Sequence, residues 1–185
     1  MTNRSIPLQG ISPLSWIDSR IEVRLSPFHG RGIFAKAPIQ LGAVVLIWGG
    51  AVFTAAEIRA GKAVEHSYAA IGEGIFLGHP QELGNSADDY MNHSCDPNLW
   101  MVNETTWTTR RAIRAGDELT ADYAMYWEPD EAEWPPWECH CVSTLCRKIF
   151  TSRDWRRIEL HERYGDHFSP YINERIRQLR ETTGP

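Results

Sequence analysis

No apolar run in this 185-residue chain approaches the ~20 residues that a membrane span needs. A basic start followed by a long apolar stretch is also missing. No secretory leader is therefore expected, and an intracellular location, cytoplasmic or nuclear, follows by default. Basic residues are in deficit: 19 Lys and Arg stand against 24 Asp and Glu, for a net charge of −5. Direct binding to nucleic acid usually shows as a basic excess, so it is not expected. An acidic balance is better suited to a basic partner. Cysteine is scarce, with four in all. In a secreted chain these would read as two disulfides, but thiols inside cells stay reduced. No GxGxxG opens a long helix, which argues against a phosphate-binding loop. Internal repeats and low-complexity runs are absent as well.

What is present is ordinary globular composition, 42% hydrophobic and 23% charged, enough for one sizeable core and short for two. The first 15 residues hold Pro7, Gly10 and Pro13 without periodicity and read as an irregular arm, anchored by Trp16 and Ile17. Ile21 to Leu25 alternates as a half-buried strand, Ser26 to Gly30 turns, and Arg31 to Ala35 returns. Ala43 to Trp48 is a short, continuous apolar run and reads as a buried strand. Thr54 and Glu57 form a capping box for a helix of about two turns that stops near Gly61. Tyr68 to Gly78 reads as further strand. Leu99 to Val102 and Thr105 to Arg111 read as a pair across an Asn103-Glu104 turn, and Glu118 to Tyr123 as a strand end. Thr151 to Tyr164 reads as a helix capped by Thr151 and Asp154, with Trp155, Ile158 and Glu162 on one face. Ser169-Pro170 opens a last helix with Ile172, Ile176 and Leu179 on one stripe. The fold class is mainly β with short helices.

The residues able to do chemistry concentrate in a few places. The polar loop Asn92-His93-Ser94-Cys95-Asp96-Pro97-Asn98 lies between Tyr90-Met91 and the apolar Leu99 to Val102. Asp-Pro and Pro-Asn favour a turn, and such loops on rigid scaffolds are where binding and catalysis gather. Cys139, Cys141 and Cys146 lie within eight residues, while Cys95 stands in the loop. That set suits a tetrahedral zinc site with four thiolate ligands. Disulfides and free core thiols are the alternatives, and His140 is a possible substitute ligand. Glu128 to Glu138 is acidic and rich in tryptophan. It reads either as a solvated linker or as one wall of a groove for a basic peptide.

The loop Asn92 to Asn98 resembles the central motif of the SET-domain protein-lysine methyltransferases. Three other stretches fall in that family's order: Gly30-Arg31-Gly32, then Glu118-Leu119-Thr120-Ala121-Asp122-Tyr123, then the three clustered cysteines. Together they span about 120 residues. The resemblance implies a SET-domain β-fold of small sheets with a pseudoknot, in which the Asn92 and Glu118 segments pass each other. It places an arm at 1–18, a SET domain at 19–127 with an insert at about 53–67, an acidic linker and post-SET zinc segment at 128–150, and a helical tail at 151–185 beyond the family motifs.

The resemblance also implies a function, methyl transfer from S-adenosylmethionine to the side-chain amine of lysine in a protein substrate. Gly30, Arg31, Gly32, Tyr90, Asn92, His93 and Tyr123 become candidate cofactor contacts, with Ile149 and Phe150 covering the adenine. Cys95 becomes the fourth ligand of a structural zinc ion. Tyr123 is the main catalytic candidate, with Tyr126 secondary and Tyr68 near the lysine channel. Asp89 stands where the family often has arginine, so that arginine's contact does not carry over. Ala121 stands where many members have phenylalanine or tyrosine. The smaller side chain leaves room for more than one methyl group, unless Tyr68 or Trp48 refills the space. The competing readings are a catalytically inactive SET module serving as an interaction scaffold, and an unrelated zinc-stabilised interaction domain.

Overall fold

The alternation of Ile21 to Leu25 is cashed in as an antiparallel pair with Arg31 to Ala35, Val23 opposite Ile33 and Leu25 opposite Arg31. The structure, a computed structural model, describes residues 10–127 and 136–183. Glu128, Asp130, Glu131, Glu133 and Trp134 of the acidic stretch lie outside the described residues. In chain order the strands are β1 (Trp16–Ile17), β2 (Ile21–Leu25), β3 (Arg31–Ala35), β4 (Val44–Ile47), β5 (Ala51–Thr54), β6 (Ala63–Gly72), β7 (Ile75–Pro80), β8 (Asn92–His93), β9 (Leu99–Met101), β10 (Thr106–Thr109), β11 (Glu118–Ala121), β12 (Trp137–Glu138) and β13 (Ile149–Phe150). They form sheets in the orders β1-β4-β10-β9, β2-β3-β11-β8, β5-β7-β6 and β12-β13.

The arm is anchored where expected. Trp16 and Ile17 pair with Ile47 and Leu46. Further upstream, the Gly50 N–H donates to the Ser12 carbonyl at 2.9 Å. A Cβ on Gly49 would collide with the Leu14 carbonyl, so glycine there is what lets the arm lie flat. Ala63 to Pro80 holds two strands rather than one. Gly74 takes a φ of 65°, a conformation suited to glycine, and turns β6 back onto β7. The Thr54–Glu57 capping box forms in both directions, over a helix α1 (Ala55–Arg59) of only five residues.

The two segments expected to pass each other lie side by side. Asn92 and His93 pair in parallel with Thr120 and Ala121 of β11. Asn98 locks the passage, donating to the Glu118 carbonyl at 2.7 Å and accepting from the Thr120 N–H at 2.9 Å.

The expected helix over Thr151 to Tyr164 is broken. A 3-10 turn at Asp154–Arg156 is followed by an extended Arg157 and then α2 (Ile158–Tyr164). Ile158 is 69% exposed, while Leu160 and Tyr164 are buried, so the buried stripe of α2 differs from the expected one. The last helix, α3 (Pro170–Thr183), starts as expected, with the Ser169 hydroxyl accepting from the Ile172 N–H. Leu160, Tyr164, Phe168, Ile172 and Ile176 share one apolar cluster with Ile33, Leu99, Trp107 and Leu119. Among the described residues no helix is long and apolar enough to cross a membrane.

A buried ionic knot joins the sheets to the tail. Asp122 is fully buried and takes two hydrogen bonds from Arg147, at 2.7 and 2.8 Å. Tyr164 donates to the same carboxylate at 2.9 Å, and Arg147 reaches Asp154 at 2.7 Å. Burial would raise the Asp122 carboxyl, but the Arg147 guanidinium holds it below the usual carboxylate range. Breaking a buried pair by removing one partner costs about 3–5 kcal/mol, because the other charge is left uncompensated. Arg147→Met should therefore lower unfolding free energy in urea by that amount, and the Asp122→Leu/Arg147→Met double variant should recover part of it. A single variant as stable as the parent would remove the knot from the account of the fold.

Candidate active site

One cavity of about 1060 Å³ gathers most of the residues singled out from the sequence. Its wall takes Gly30 and Arg31 from the β2–β3 turn, and Asn92 and His93 from β8. Tyr90 and Tyr123 complete that side, while Tyr68, Tyr126, Trp48, Trp127 and Trp137 supply aromatic faces. Three expected contacts lie off the wall. Gly32 does not line the cavity; a Cβ there would collide with the Glu118 carboxylate, so its role is steric. Ile149 is half-exposed and Phe150 is buried behind the wall, its ring 5.1 Å from both His93 and Trp137.

Glu118 explains why the turn holds its shape. Its carboxylate accepts from the Ser26 hydroxyl at 2.9 Å and from the Asn92 amide at 2.6 Å. The same amide nitrogen donates to the carbonyls of Arg31 and His29 at 2.9 and 3.2 Å. Asn92 and Glu118 therefore clamp the backbone of the loop at one edge of the cavity. Arg31 lies over the Tyr90 ring, 4.4 Å from its centroid, and donates to its hydroxyl.

His93 is neutral. Burial, set against its neighbour Asp122, brings its pKa down to about 4. Its Nδ1 accepts from the Tyr123 N–H at 3.2 Å, which leaves the ring proton on Nε2, 3.4 Å from the Cys95 sulfur. Tyr123 donates its hydroxyl proton to the Met91 carbonyl at 2.8 Å. Burial pushes this phenol, and that of Tyr126, well above the ordinary range. Neither can serve as a base at neutral pH. Around them the aromatic rings interlock: Tyr123 stacks on Trp127 at 5.5 Å, and Tyr126 meets Trp48 edge-on at 5.0 Å. Asp89, at the position of the family's arginine, turns to His79 instead, 3.1 Å from its Nδ1.

The four cysteines converge, with sulfurs all within 4.8 Å of one another. Cys95 and Cys139 are 3.8 Å apart, close to the ~3.8 Å between sulfurs set tetrahedrally at the usual zinc–sulfur distance of about 2.3 Å. Backbone N–H groups of Arg147, Cys95 and Lys148 point at the sulfurs of Cys95, Cys141 and Cys146, at 3.3 to 3.4 Å. Burial pushes the Cys95 thiol up to about 11, so a dication is what would ionise it. His140 is largely exposed and faces Glu138, so it is not part of the set. The residues fit a zinc ion.

A family model described as the SET domain matches residues 30–124, just over half of the chain. The chain belongs to the SET-domain family. Among its relatives, the SET domain is 30% identical over 149 residues to histone-lysine N-methyltransferase ash1 of Drosophila melanogaster, covering 74% of this chain and 6% of that protein. It is 29% identical to human histone-lysine N-methyltransferase 2B, covering 70% of this chain and 5% of that protein. The chain thus spans only a small fraction of the length of these relatives. Two solved structures share its fold. One is the methyltransferase domain of human histone-lysine N-methyltransferase SETMAR, with a TM-score of 0.58 at 19% identity, covering 71% of this chain and 57% of that one. The other is Arabidopsis thaliana SUVH6 in complex with SAM, with a TM-score of 0.60 at 17% identity, covering 72% of this chain and 33% of that one.

Reading the sequence missed His79 and Asp88 on the cavity wall, and the clamp made by Glu118. The paired acids Asp88-Asp89 before an apolar Tyr-Met were the available signal for the first. For the second there was none, since it arises only when β11 is laid beside β3. Purified protein should carry one zinc ion per chain by elemental analysis, lost in Cys139→Ser. Structural zinc is worth about 10–16 kcal/mol of apparent binding energy, so a chelator should lower the melting temperature steeply. Metal-free protein that melts at the parent temperature would refute the site.

Proposed function

We propose that this SET domain transfers methyl groups from S-adenosylmethionine to the side-chain amine of a lysine in a protein substrate. The observation that carries the reading is a single cavity onto which Tyr123, the Asn92-His93 pair and the Gly30-Arg31 turn all open. The cofactor, when bound, supplies an electrophilic methyl carbon on a positive sulfur. Gly30, Arg31, Tyr90, Asn92 and His93 would hold it, on the side of the cavity clamped by Glu118.

The attacking amine must be neutral. With an unperturbed pKa of about 10.4, roughly one lysine in a few thousand is neutral at pH 7, a cost of about 4–5 kcal/mol. The aromatic walls lower that cost by excluding water from the ammonium form. Tyr123 has no proton to give, because Met91 holds it, and no tendency to lose it. Its oxygen has lone pairs only. It accepts a hydrogen bond from the amine and so aims the nitrogen lone pair, a matter of alignment rather than of base strength.

The zinc ion would be structural, joining Cys95 in the central loop to Cys139, Cys141 and Cys146 beside the cavity. Ala121 is fully buried next to His93. It does not itself line the cavity, so capacity beyond monomethylation is supported by the motif position that this small residue occupies.

Calorimetry should show S-adenosylmethionine binding one-to-one to zinc-loaded protein and weakened at least roughly tenfold in Asn92→Ala, which frees the loop. Tyr123→Phe, which keeps the ring, should keep the binding and lose about a hundredfold in kcat. No binding by folded, zinc-loaded protein would sink the proposal. On a methylated substrate, mass spectrometry should find dimethyl or trimethyl lysine with the parent and a shift to monomethyl with Ala121→Phe. Monomethyl product alone from the parent, even after long incubation, would overturn the Ala121 reading.

A further inference from the structure

The N-terminal arm is pinned behind the cavity wall at one point that the chemistry above leaves unused. Residues 10–18 lie outside the matched 30–124, and little apolar burial holds them: Leu14 is 63% and Trp16 49% exposed. Ser15 is the pin. Its hydroxyl accepts from the Gly49 N–H at 3.0 Å and donates to Asp88 Oδ2 at 2.8 Å. With its one proton given to that carboxylate, Ser15 can only accept from His79 Nε2, 3.2 Å away. The other ring nitrogen, Nδ1, faces the Asp89 carboxylate at 3.1 to 3.2 Å. Both ring nitrogens therefore donate, and His79 is an imidazolium.

The His79 side chain is 5% exposed, and among the described residues Asp88 and Asp89 are the charged groups that face it. Strand β6 adds the Ser67 hydroxyl, which accepts from the His79 backbone N–H at 3.3 Å. The hydrogen bond to Asp89 raises the pKa of the imidazole, against the effect of burial. The imidazolium is thus held to a pH above its ordinary pKa of about 6.5, and is lost as pH rises through the raised value. Neutral His79 can still donate from Nδ1 to Asp89. Its Nε2 then competes with Asp88 for the single Ser15 proton, and one of the two goes without.

Three wall segments meet at this pin. Gly49 follows Trp48, which stands edge-on to Tyr126. Asp88 and Asp89 belong to the 3-10 turn Ala87–Tyr90, which leads to Tyr90 and Asn92 on the cofactor side. His79 comes from β7. Trp48, Gly49, His79, Asp88, Asp89 and Tyr90 all line the cavity. Burial raises the Tyr126 phenol, and Asp89 is among the charges that add to it, so the pin lies near the aromatic wall. Methyl transfer runs along a line from sulfur to nitrogen, and a misplacement of ~1 Å can cost about a hundredfold in rate. We infer that Ser15 is a positioning residue for methyl transfer: with His79 it braces the Trp48 wall against the Tyr90 turn, and so keeps amine and cofactor in line. This rests on the methyl-transfer reading of the same cavity.

Histidine-ring NMR of the zinc-loaded protein, assigned with His79→Gln, tests the brace without any methyl acceptor. Ser15→Ala removes the acceptor of the Nε2 proton and should lower the pKa of His79 by roughly one unit, the scale of one hydrogen bond. Turnover is read with radiolabelled S-adenosylmethionine and a pool of lysine-centred nonapeptides. Ser15→Ala should lose roughly tenfold in kcat while calorimetry finds S-adenosylmethionine bound as in the parent, and Ser15→Thr should recover most of the rate. The pH profile of the parent, rising as the amine loses its proton, should bend downward at the pKa of His79, and that bend should be missing from His79→Gln. An active parent whose kcat is unchanged by Ser15→Ala overturns the positioning role and leaves the methyl-transfer reading standing. So does a loss of rate matched by an equal loss of cofactor binding, or one that Ser15→Thr does not recover, since either would make Ser15 merely structural. A His79 pKa that stays put in Ser15→Ala overturns the brace whether or not any peptide is methylated. No methylation by the parent, beside a His79 that does shift, sinks the methyl-transfer reading and the positioning role with it. Where Ser15→Ala fails to fold, Ser15→Cys takes its place, its sulfur being a weak acceptor.

Discussion

Asp122 must be paired, and nearly everything around the cavity depends on how that is done. A carboxylate with no exposed surface cannot stay ionised unaided. Arg147 supplies two hydrogen bonds and Tyr164 a third. Arg147 follows directly on Cys146, and its backbone N–H points at the sulfur of Cys95. Arg163 meanwhile donates to the Cys95 carbonyl at 3.0 Å. The residue beside Tyr123, the cysteine cluster and helix α2 are thus parts of one ionic network. The tail that lies outside the family motifs is structurally inside the core.

The same arrangement sets the electrical character of the cavity. Asp122 and Arg147 are drawn behind the wall and paired there, while Tyr68, Tyr123, Tyr126, Trp48, Trp127 and Trp137 bring aromatic faces onto it. This is the setting in which an amine sheds its proton most cheaply and in which a phenol stays a phenol.

Much of this was legible in the sequence, for reasons particular to each residue. The β2–β3 pair followed from alternation, the helix starts at Thr54 and Ser169 from cap chemistry, and the cysteine cluster from spacing. The central loop, the Glu118 to Tyr123 strand and the Gly30 turn were placed by motif order, and the cavity brings them together. The helix expected from Thr151 failed because Asp154 is drawn to Arg147, which fixes a 3-10 turn and an extended Arg157 in its place. The β6–β7 hairpin was run together because Glu73-Gly74 is a weak turn signal between apolar stretches. Asp122 was visible only as one letter of a motif. Its partners lie 25 and 42 residues away, and no local pattern announces a contact of that kind.

The distance between Asp122 and Tyr164 has a consequence for biosynthesis. As the chain leaves the ribosome, strand β11 emerges well before Arg147 and Tyr164. Until then Asp122 would have to be buried without its counter-charge, so β11 cannot settle against β3 and β8. The cavity is therefore finished after synthesis of its own walls, and only when the tail has arrived. A nascent chain stalled anywhere between residues 124 and 146 would hold every residue of the central loop and no closed site.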